Sequence, residues 1–130
     1  MNTTNDAEMK SGLKKKLKEI KHIALDMDGT IYNGDTLFSF TVDFLDKMKN
    51  NGIGYSFLTN NSSKSRLDYL RHLDNMGIPA SADEIYTSGQ ATIDYLRFNH
   101  PEMKRLFILG TPSLIREFEE AGFISVSDSP

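Results

Sequence analysis

The sequence contains no cysteine among its 130 residues. This absence excludes disulfide bonds, thiolate zinc sites and cysteine nucleophiles, and it fits a reducing cytoplasm, where we expect the protein to reside. No apolar run approaches the roughly 18 residues that a membrane span needs, so no membrane segment is expected. The polar stretch over 1–10 lacks the apolar core of a signal peptide. The net charge of −3 gives no basic excess that would indicate a nucleic-acid partner.

The pattern that is present is an alternation of short apolar runs and helical stretches. Helices are predicted over about 39–50, 64–76, 89–98 and 112–121, each following a predicted strand over 22–25, 54–59, 85–87 and 105–109. This alternation with short connections favours a parallel α/β sheet with right-handed crossovers. Ahead of it we expect a disordered lead over 1–10. A basic amphipathic helix over 13–20 should then dock its apolar residues on the domain.

Two carboxylates follow the first predicted strand, in Asp26-Met27-Asp28-Gly29-Thr30. Residues two apart on a strand point to the same side, and Gly29 lets the chain turn tightly beside a ligand. One carboxylate could attack a phosphorus atom while the other moves a proton. A carboxylate and a phosphate about 4 Å apart repel by about 1 kcal/mol per charge pair in water, and about 4 kcal/mol at an effective dielectric near 20. A divalent cation is needed to offset this repulsion, and Mg²⁺ suits hard oxygen ligands.

A second polar segment, Thr59-Asn60-Asn61-Ser62-Ser63, also lies between a predicted strand and a predicted helix. Hydroxyls, backbone N–H groups and a helix N-terminus together form a seat for an anion. Neighbouring strand ends of a parallel sheet lie at the same edge, so the two segments can meet there. The pair therefore predicts a site for phosphoryl transfer.

An Asp-x-Asp-Gly stretch is also compatible with an ordinary turn or with a Ca²⁺ loop. The EF-hand loop needs a glycine at its sixth position, whereas Gly29 falls at the fourth, so that interpretation fails. The apolar strand before the motif and the Thr-Asn-Asn segment after the next strand favour a functional site over an ordinary turn.

These residues resemble the haloacid dehalogenase-like (HAD) superfamily. LDMDGTIYNG is similar to its first motif and FLTNNSSKS to its second, while LFILGTPSLIREFEEAGF is similar to the IIA branch, the NagD and 4-nitrophenylphosphatase-like enzymes. The resemblance implies a Rossmann-like parallel sheet with helices on both faces, together with the start of an α/β cap domain. It also implies an Mg²⁺-dependent phosphatase acting on small phosphorylated metabolites.

The resemblance further assigns roles to individual residues. It implies that Asp26 becomes a phosphoaspartate and that Asp28 protonates the leaving oxygen and then deprotonates water. It also implies that the Asp26 carboxylate and the Asp28 backbone carbonyl ligate Mg²⁺, and that Thr59, Asn60 and Asn61 hold the phosphoryl oxygens.

The family pattern also requires a third-motif lysine and a fourth, acidic motif, which do not occur in these residues. The chain is therefore expected to be an inactive portion of a larger enzyme, with part of the core domain over 11–100 and the opening of the cap over 101–130. The acidic residues near the C-terminus do not replace the missing motif, because a solvated position on an amphipathic helix is expected for Glu117, Glu119 and Glu120.

Two alternatives come from other functional classes. One is a non-catalytic α/β fragment or interaction domain that holds phosphate or Mg²⁺. The other is a receiver domain of a signalling relay, but that class expects adjacent acidic residues after the first strand, and Asp26-Met27-Asp28 does not fit. Exposed sheet edges could also lead the chain to associate into homo-oligomers.

Overall fold

The computed structural model describes residues 3–126, with side chains described from residue 11 onward. The helices are α1 (Thr3–Glu19), α2 (Thr41–Asn50), α3 (Arg66–Asn75), α4 (Ser88–Asn99) and α5 (Pro112–Glu120). The strands are β1 (His22–Asp26), β2 (Tyr32–Asn33), β3 (Thr36–Leu37), β4 (Gly54–Thr59), β5 (Ile85–Thr87), β6 (Arg105–Leu106) and β7 (Ile124–Ser125). A single 3₁₀ turn, Ala82–Glu84, precedes β5. This alternation confirms the predicted α/β class.

The central sheet is parallel, with the strand order β1-β4-β5. Its register pairs Asp26 with Leu58 and Thr59 with Thr87, so the three strands end close together at one edge. One face of the sheet is buried against α2 and α3, and the core there includes Leu25, Phe57, Ile85, Leu45, Tyr69 and Leu73. The sheet thereby places the polar segments that follow β1, β4 and β5 side by side, above a solid apolar layer.

The opposite face of the sheet is open along the described residues. Ala24 is exposed, and Leu58 and Tyr86 keep 38% and 43% of their surface accessible. Helices α2 and α3, which follow β1 and β4, both pack on the buried face of the sheet. Two successive right-handed crossovers that move across the sheet in the same direction place both helices on one face. The open face contributes the floor of the cleft described below.

Two smaller sheets flank this core. A β2–β3 hairpin follows the Asp26–Asp28 segment, and β6 pairs in parallel with β7. Around β6 and β7 lies a second apolar core of Ile93, Leu114, Phe118 and Phe123. This second core combines Ile93 of α4 with residues that follow position 100. The division into domains over 11–100 and 101–130 stays a prediction.

The N-terminal segment differs from its prediction. Residues 3–10, for which we expected disorder, belong to helix α1, which is continuous to Glu19. Strong helix formers such as Ala, Glu, Met and Lys recur along 7–19 and account for the longer helix. The expected docking of this helix is wrong, because Leu13 and Leu17 remain 57% and 52% exposed. Two leucines on a lysine-rich helix offer too little apolar area to hold it against the domain. Residues 1–2 and 127–130 lie outside the described part of the chain.

Candidate active site

The Asp26–Asp28 segment alternates as a strand end should. Leu25 and Met27 are buried, whereas Asp26 and Asp28 are exposed on the other side. The chain then turns at Gly29, whose φ of 81° is in the left-handed region that favours glycine. The turn is closed by the Gly29 N–H, which donates to the Tyr32 carbonyl at 2.7 Å. Both carboxylates therefore project from a rigid turn at the carboxyl end of β1.

Each carboxylate has one hydrogen-bond partner from the same segment. The Thr30 hydroxyl donates to Oδ2 of Asp26 at 3.1 Å, and the Gly34 N–H donates to Oδ1 of Asp28 at 3.4 Å. Asp28 is thus tied to the β2–β3 hairpin, and each of the two carboxylates keeps its second oxygen free of hydrogen bonds within the described residues.

The hairpin is in turn held by α3. The His72 Nε2 donates to the Gly34 carbonyl at 3.0 Å, and the His72 ring packs edge-on against Tyr32 with centroids 5.0 Å apart. Burial raises the pKa of the Tyr32 phenol above its ordinary value, and the nearby Tyr69, Asp28 and Asp26 raise it further. Tyr32 therefore stays neutral beside the two carboxylates.

The segment after β4 has its own internal hydrogen bonds. The Thr59 hydroxyl lies 3.3 Å from the Tyr69 hydroxyl and accepts from the Asn61 N–H at 3.2 Å. The Asn61 Oδ1 accepts from the Ser63 N–H at 2.9 Å and from the Ser63 hydroxyl at 2.7 Å. We refer to residues 59–63 as the phosphate loop, after the anion seat that the sequence predicts there. In this arrangement the Thr59 hydroxyl donates to the Tyr69 hydroxyl, and it can rotate to donate to an incoming oxygen instead.

An open cleft of about 540 Å³ lies at this edge of the sheet. Three of the residues proposed from the sequence line it, namely Asp26, Thr59 and Asn60, whereas Asp28 and Asn61 do not. Asn61 instead shapes the phosphate loop through its bonds to Ser63. The sequence-proposed residues thus divide into three that line the cleft and two whose side chains bond to neighbouring loop residues, Asp28 to Gly34 and Asn61 to Ser63.

The third strand end also contributes to the cleft, and the sequence reasoning missed it. Tyr86, Thr87 and Ser88 line the cleft, and the Ser88 hydroxyl donates to the Asn60 carbonyl at 3.4 Å. Thr87 caps α4, because its hydroxyl accepts from the Gln90 N–H at 3.0 Å. Ligand sites of open α/β sheets lie at the carboxyl ends of the strands. Considering the residues after β5, as well as those after β1 and β4, would have found them.

Glu117 of α5 is less exposed than predicted. Glu117 was interpreted as solvated, but it is half-buried, and its Oε1 accepts from the Arg66 N–H at the start of α3 at 3.0 Å. That interpretation is therefore wrong, because the side chain crosses from α5 to a neighbouring helix instead of pointing into water. Glu119 and Glu120 are exposed, in agreement with the prediction.

The groups available to a metal ion at the first strand end are hard oxygens. The Asp26 carboxylate is exposed there, beside the backbone of Asp28, and this donor type matches Mg²⁺. Among the side chains of residues 11–126, no cluster of three or more acidic, histidine or cysteine residues is close enough to hold a metal ion. The donors present fit Mg²⁺ as part of a coordination shell.

Comparison with known proteins decides the family. Residues 23–124 match the haloacid dehalogenase-like hydrolases. The chain belongs to this family. The chain is 32% identical over 108 residues to the chloroplastic phosphoglycolate phosphatase 1A of Arabidopsis thaliana, a match covering 82% of this chain and 30% of the relative.

Solved structures agree with this assignment. A 4-nitrophenylphosphatase from Thermotoga maritima superimposes with a TM-score of 0.81 at 37% identity, covering 88% of this chain and 43% of that chain. A glycerol phosphate phosphatase from Mycobacterium tuberculosis in complex with magnesium gives a TM-score of 0.72 at 28% identity, covering 84% of this chain and 32% of that chain. These matches confirm the resemblance to the IIA branch.

The chain spans less than half the length of these relatives. No helix in the described part of the chain is long and apolar enough to cross a membrane.

Proposed function

We propose that this HAD-family chain contributes the nucleophile and phosphate seat of an Mg²⁺-dependent phosphatase that hydrolyses small phosphate monoesters. The observation that carries the proposal is the cleft that Asp26 shares with Thr59 and Asn60. A free carboxylate oxygen and phosphate-binding groups on one cleft are the arrangement that in-line attack on phosphorus requires.

In the proposed reaction, an oxygen of Asp26 attacks the phosphorus of the bound monoester, and the bond from phosphorus to the leaving oxygen breaks. The Asp28 carboxyl donates its proton to that oxygen, which leaves as the alcohol. Asp28 then removes a proton from a water molecule that attacks the phosphorus of the aspartyl phosphate. Inorganic phosphate leaves and the Asp26 carboxylate is regenerated.

The phosphate loop supplies the ground-state contacts. The Thr59 hydroxyl and the Asn60 side chain are proposed to donate to the phosphoryl oxygens, with Asn61 shaping the loop between them and Ser63. The Asp26 carboxylate and the Asp28 backbone carbonyl would hold Mg²⁺, which would offset the charge of the phosphoryl group. The magnesium complex of the mycobacterial relative supports this choice of metal.

The proposed substrates are small phosphorylated metabolites, the class that includes the phosphoglycolate and glycerol phosphate named for two relatives. We further propose that the 130-residue chain alone has negligible turnover, because the resemblance requires a lysine and acidic ligands that these residues do not provide. The cytoplasmic location and the association into homo-oligomers stay predictions.

The proposal is tested with Asp28→Asn in the full-length gene product. A nitrophenolate leaves without help from an acid, whereas an alkoxide does not, and the second step needs the base for both substrates. With Mg²⁺, the variant should release a burst of nitrophenol from 4-nitrophenyl phosphate and then stall. Its turnover of glycerol phosphate should fall about 100- to 10,000-fold with no burst. Unchanged turnover of glycerol phosphate would refute the role of Asp28, and activity that survives full chelation would refute the metal requirement.

A further inference from the structure

Helix α5 is joined to the phosphate loop by polar contacts that the proposed chemistry does not use. The Thr111 hydroxyl, just before α5, donates to the Ser63 carbonyl at 3.0 Å. Two residues further along, the Ser113 hydroxyl donates to the Asp68 carboxylate and lies 3.0 Å from the Ser65 hydroxyl. These contacts join residues that are 45 to 48 positions apart in the chain.

The contacts continue into the loop itself. Ser63, which accepts from Thr111, donates through its N–H and its hydroxyl to the Asn61 Oδ1. The Asn61 N–H then donates to the Thr59 hydroxyl at 3.2 Å. A continuous chain of hydrogen bonds therefore runs from the start of α5 to the hydroxyl proposed to bind phosphate.

Glu117 adds a further contact between α5 and α3. Its Oε1 accepts from the Arg66 N–H, the first residue of α3. Its Oε2 is buried without a hydrogen-bond partner in the described residues, and a Cβ added at Gly89 would lie 2.8 Å from it. The carboxylate is thus wedged between the N-termini of α3 and α4, where the helix dipoles favour a negative charge.

Each of these helices follows a strand end that lines the cleft. Helix α3 follows the phosphate loop, and α4 follows Thr87 and includes Ser88, which bonds to Asn60. A single side chain that contacts both helix starts can therefore set the spacing of two walls of the cleft. Removing the acceptor would leave the Arg66 N–H without its partner and loosen the connection of α3 to the loop.

We propose that Glu117 is a positioning residue that, with Thr111 and Ser113, fixes the phosphate loop in the conformation that binds the phosphoryl group. This inference rests on the proposed function, since it assumes that the loop holds phosphate. It makes phosphate affinity depend on the docking of α5, a helix that does not itself line the cleft.

The test is hydrogen exchange followed by mass spectrometry on the full-length gene product, with inorganic phosphate and Mg²⁺ as the probe. In Glu117→Ala, peptides covering 59–68 should exchange about tenfold faster or more. The concentration of inorganic phosphate that gives half of the maximal protection of the loop from hydrogen exchange should rise about tenfold. Glu117→Gln, which keeps an oxygen acceptor for the Arg66 N–H, should restore most of the slow exchange. Glu119→Ala removes an exposed carboxylate from the same helix and should behave as wild type.

Steady-state kinetics separate positioning from a merely structural role. Glu117→Ala should raise KM for 4-nitrophenyl phosphate about tenfold with kcat within about threefold, since the loop binds ground state and transition state alike. Unchanged exchange in the loop would overturn the inference, and so would faster exchange with unchanged phosphate protection. If wild type shows coupled phosphate protection but no turnover, the proposed function fails while the positioning role stands. Absence of phosphate protection in wild type overturns both.

Discussion

Gly29 is the residue at which a small change should most clearly separate backbone geometry from side-chain chemistry. Its φ of 81° is in the left-handed region, and a Cβ built there has no heavy atom within 4 Å among the described residues. Gly29→Ala therefore adds backbone strain without a clash. The strain costs about 1–2 kcal/mol, and the lower entropy of the unfolded alanine chain offsets about 0.4–1 kcal/mol of it. We expect a net loss of about 1 kcal/mol in the free energy of unfolding.

Gly77 provides a matched control, because its φ is 79° and its Cβ position is equally open. Gly77→Ala should lower the free energy of unfolding by the same amount. Urea unfolding followed by far-UV circular dichroism measures this loss as a shift of the midpoint. Only Gly29 adjoins the two carboxylates, so only Gly29→Ala should also lower kcat/KM of the full-length gene product, by about 10- to 100-fold. A Gly29→Ala variant as stable as wild type, or a Gly77→Ala variant with an equal loss of kcat/KM, would refute the reasoning.

Two further predictions concern stability. Thr41→Val should lower the free energy of unfolding by about 0.5–1.5 kcal/mol. The buried Thr41 hydroxyl donates to the Ile31 carbonyl at 2.5 Å. Without it, that carbonyl would accept only from the Phe38 N–H. Urea unfolding measures this loss, and a Thr41→Val variant as stable as wild type would contradict it. Burial raises the pKa of Asp68, but hydrogen bonds from Ser113 and Ser65 and the charge of Arg71 outweigh it, so the pKa lies below its ordinary value. A depressed pKa in the folded state stabilises the fold above about pH 4, and this contribution is lost as pH falls through the folded pKa. Asp68→Asn should therefore flatten the dependence of stability on pH below about pH 4, and an unchanged profile in acid denaturation would count against it.

The strands of the central sheet could be predicted to within about a residue from the sequence. Buried parallel strands have nearly continuous apolar character, and β1, β4 and β5 each end in a polar residue where the chain turns. The same reasoning placed Asp26 beside Thr59 and Asn60, because adjacent parallel strands must end at one edge. These features depend on local patterns and on a general rule of α/β sheets, so one sequence is enough to expose them.

The contacts between elements distant in the chain could not be predicted in this way. The pattern of α5 identifies Glu117 as polar, but only the packing of α5 on α3 and α4 makes it a buried acceptor. The lysine-rich pattern of α1 likewise predicts a helix without saying whether its leucines find a partner. Thr87 and Ser88 were missed for a different reason: the end of β5 was predicted correctly, but only the polar residues after β1 and β4 were considered as a site.

The central claim is that Asp26 is the nucleophile of a phosphatase site. The most direct measurement is Mg²⁺-dependent release of nitrophenol from 4-nitrophenyl phosphate by the full-length gene product carrying Asp26→Asn. Asp46→Asn is the control, because it changes an exposed carboxylate on α2 in the same way. The account predicts a loss of at least about 1,000-fold in kcat for Asp26→Asn and no change for Asp46→Asn. Undiminished release by Asp26→Asn would contradict it.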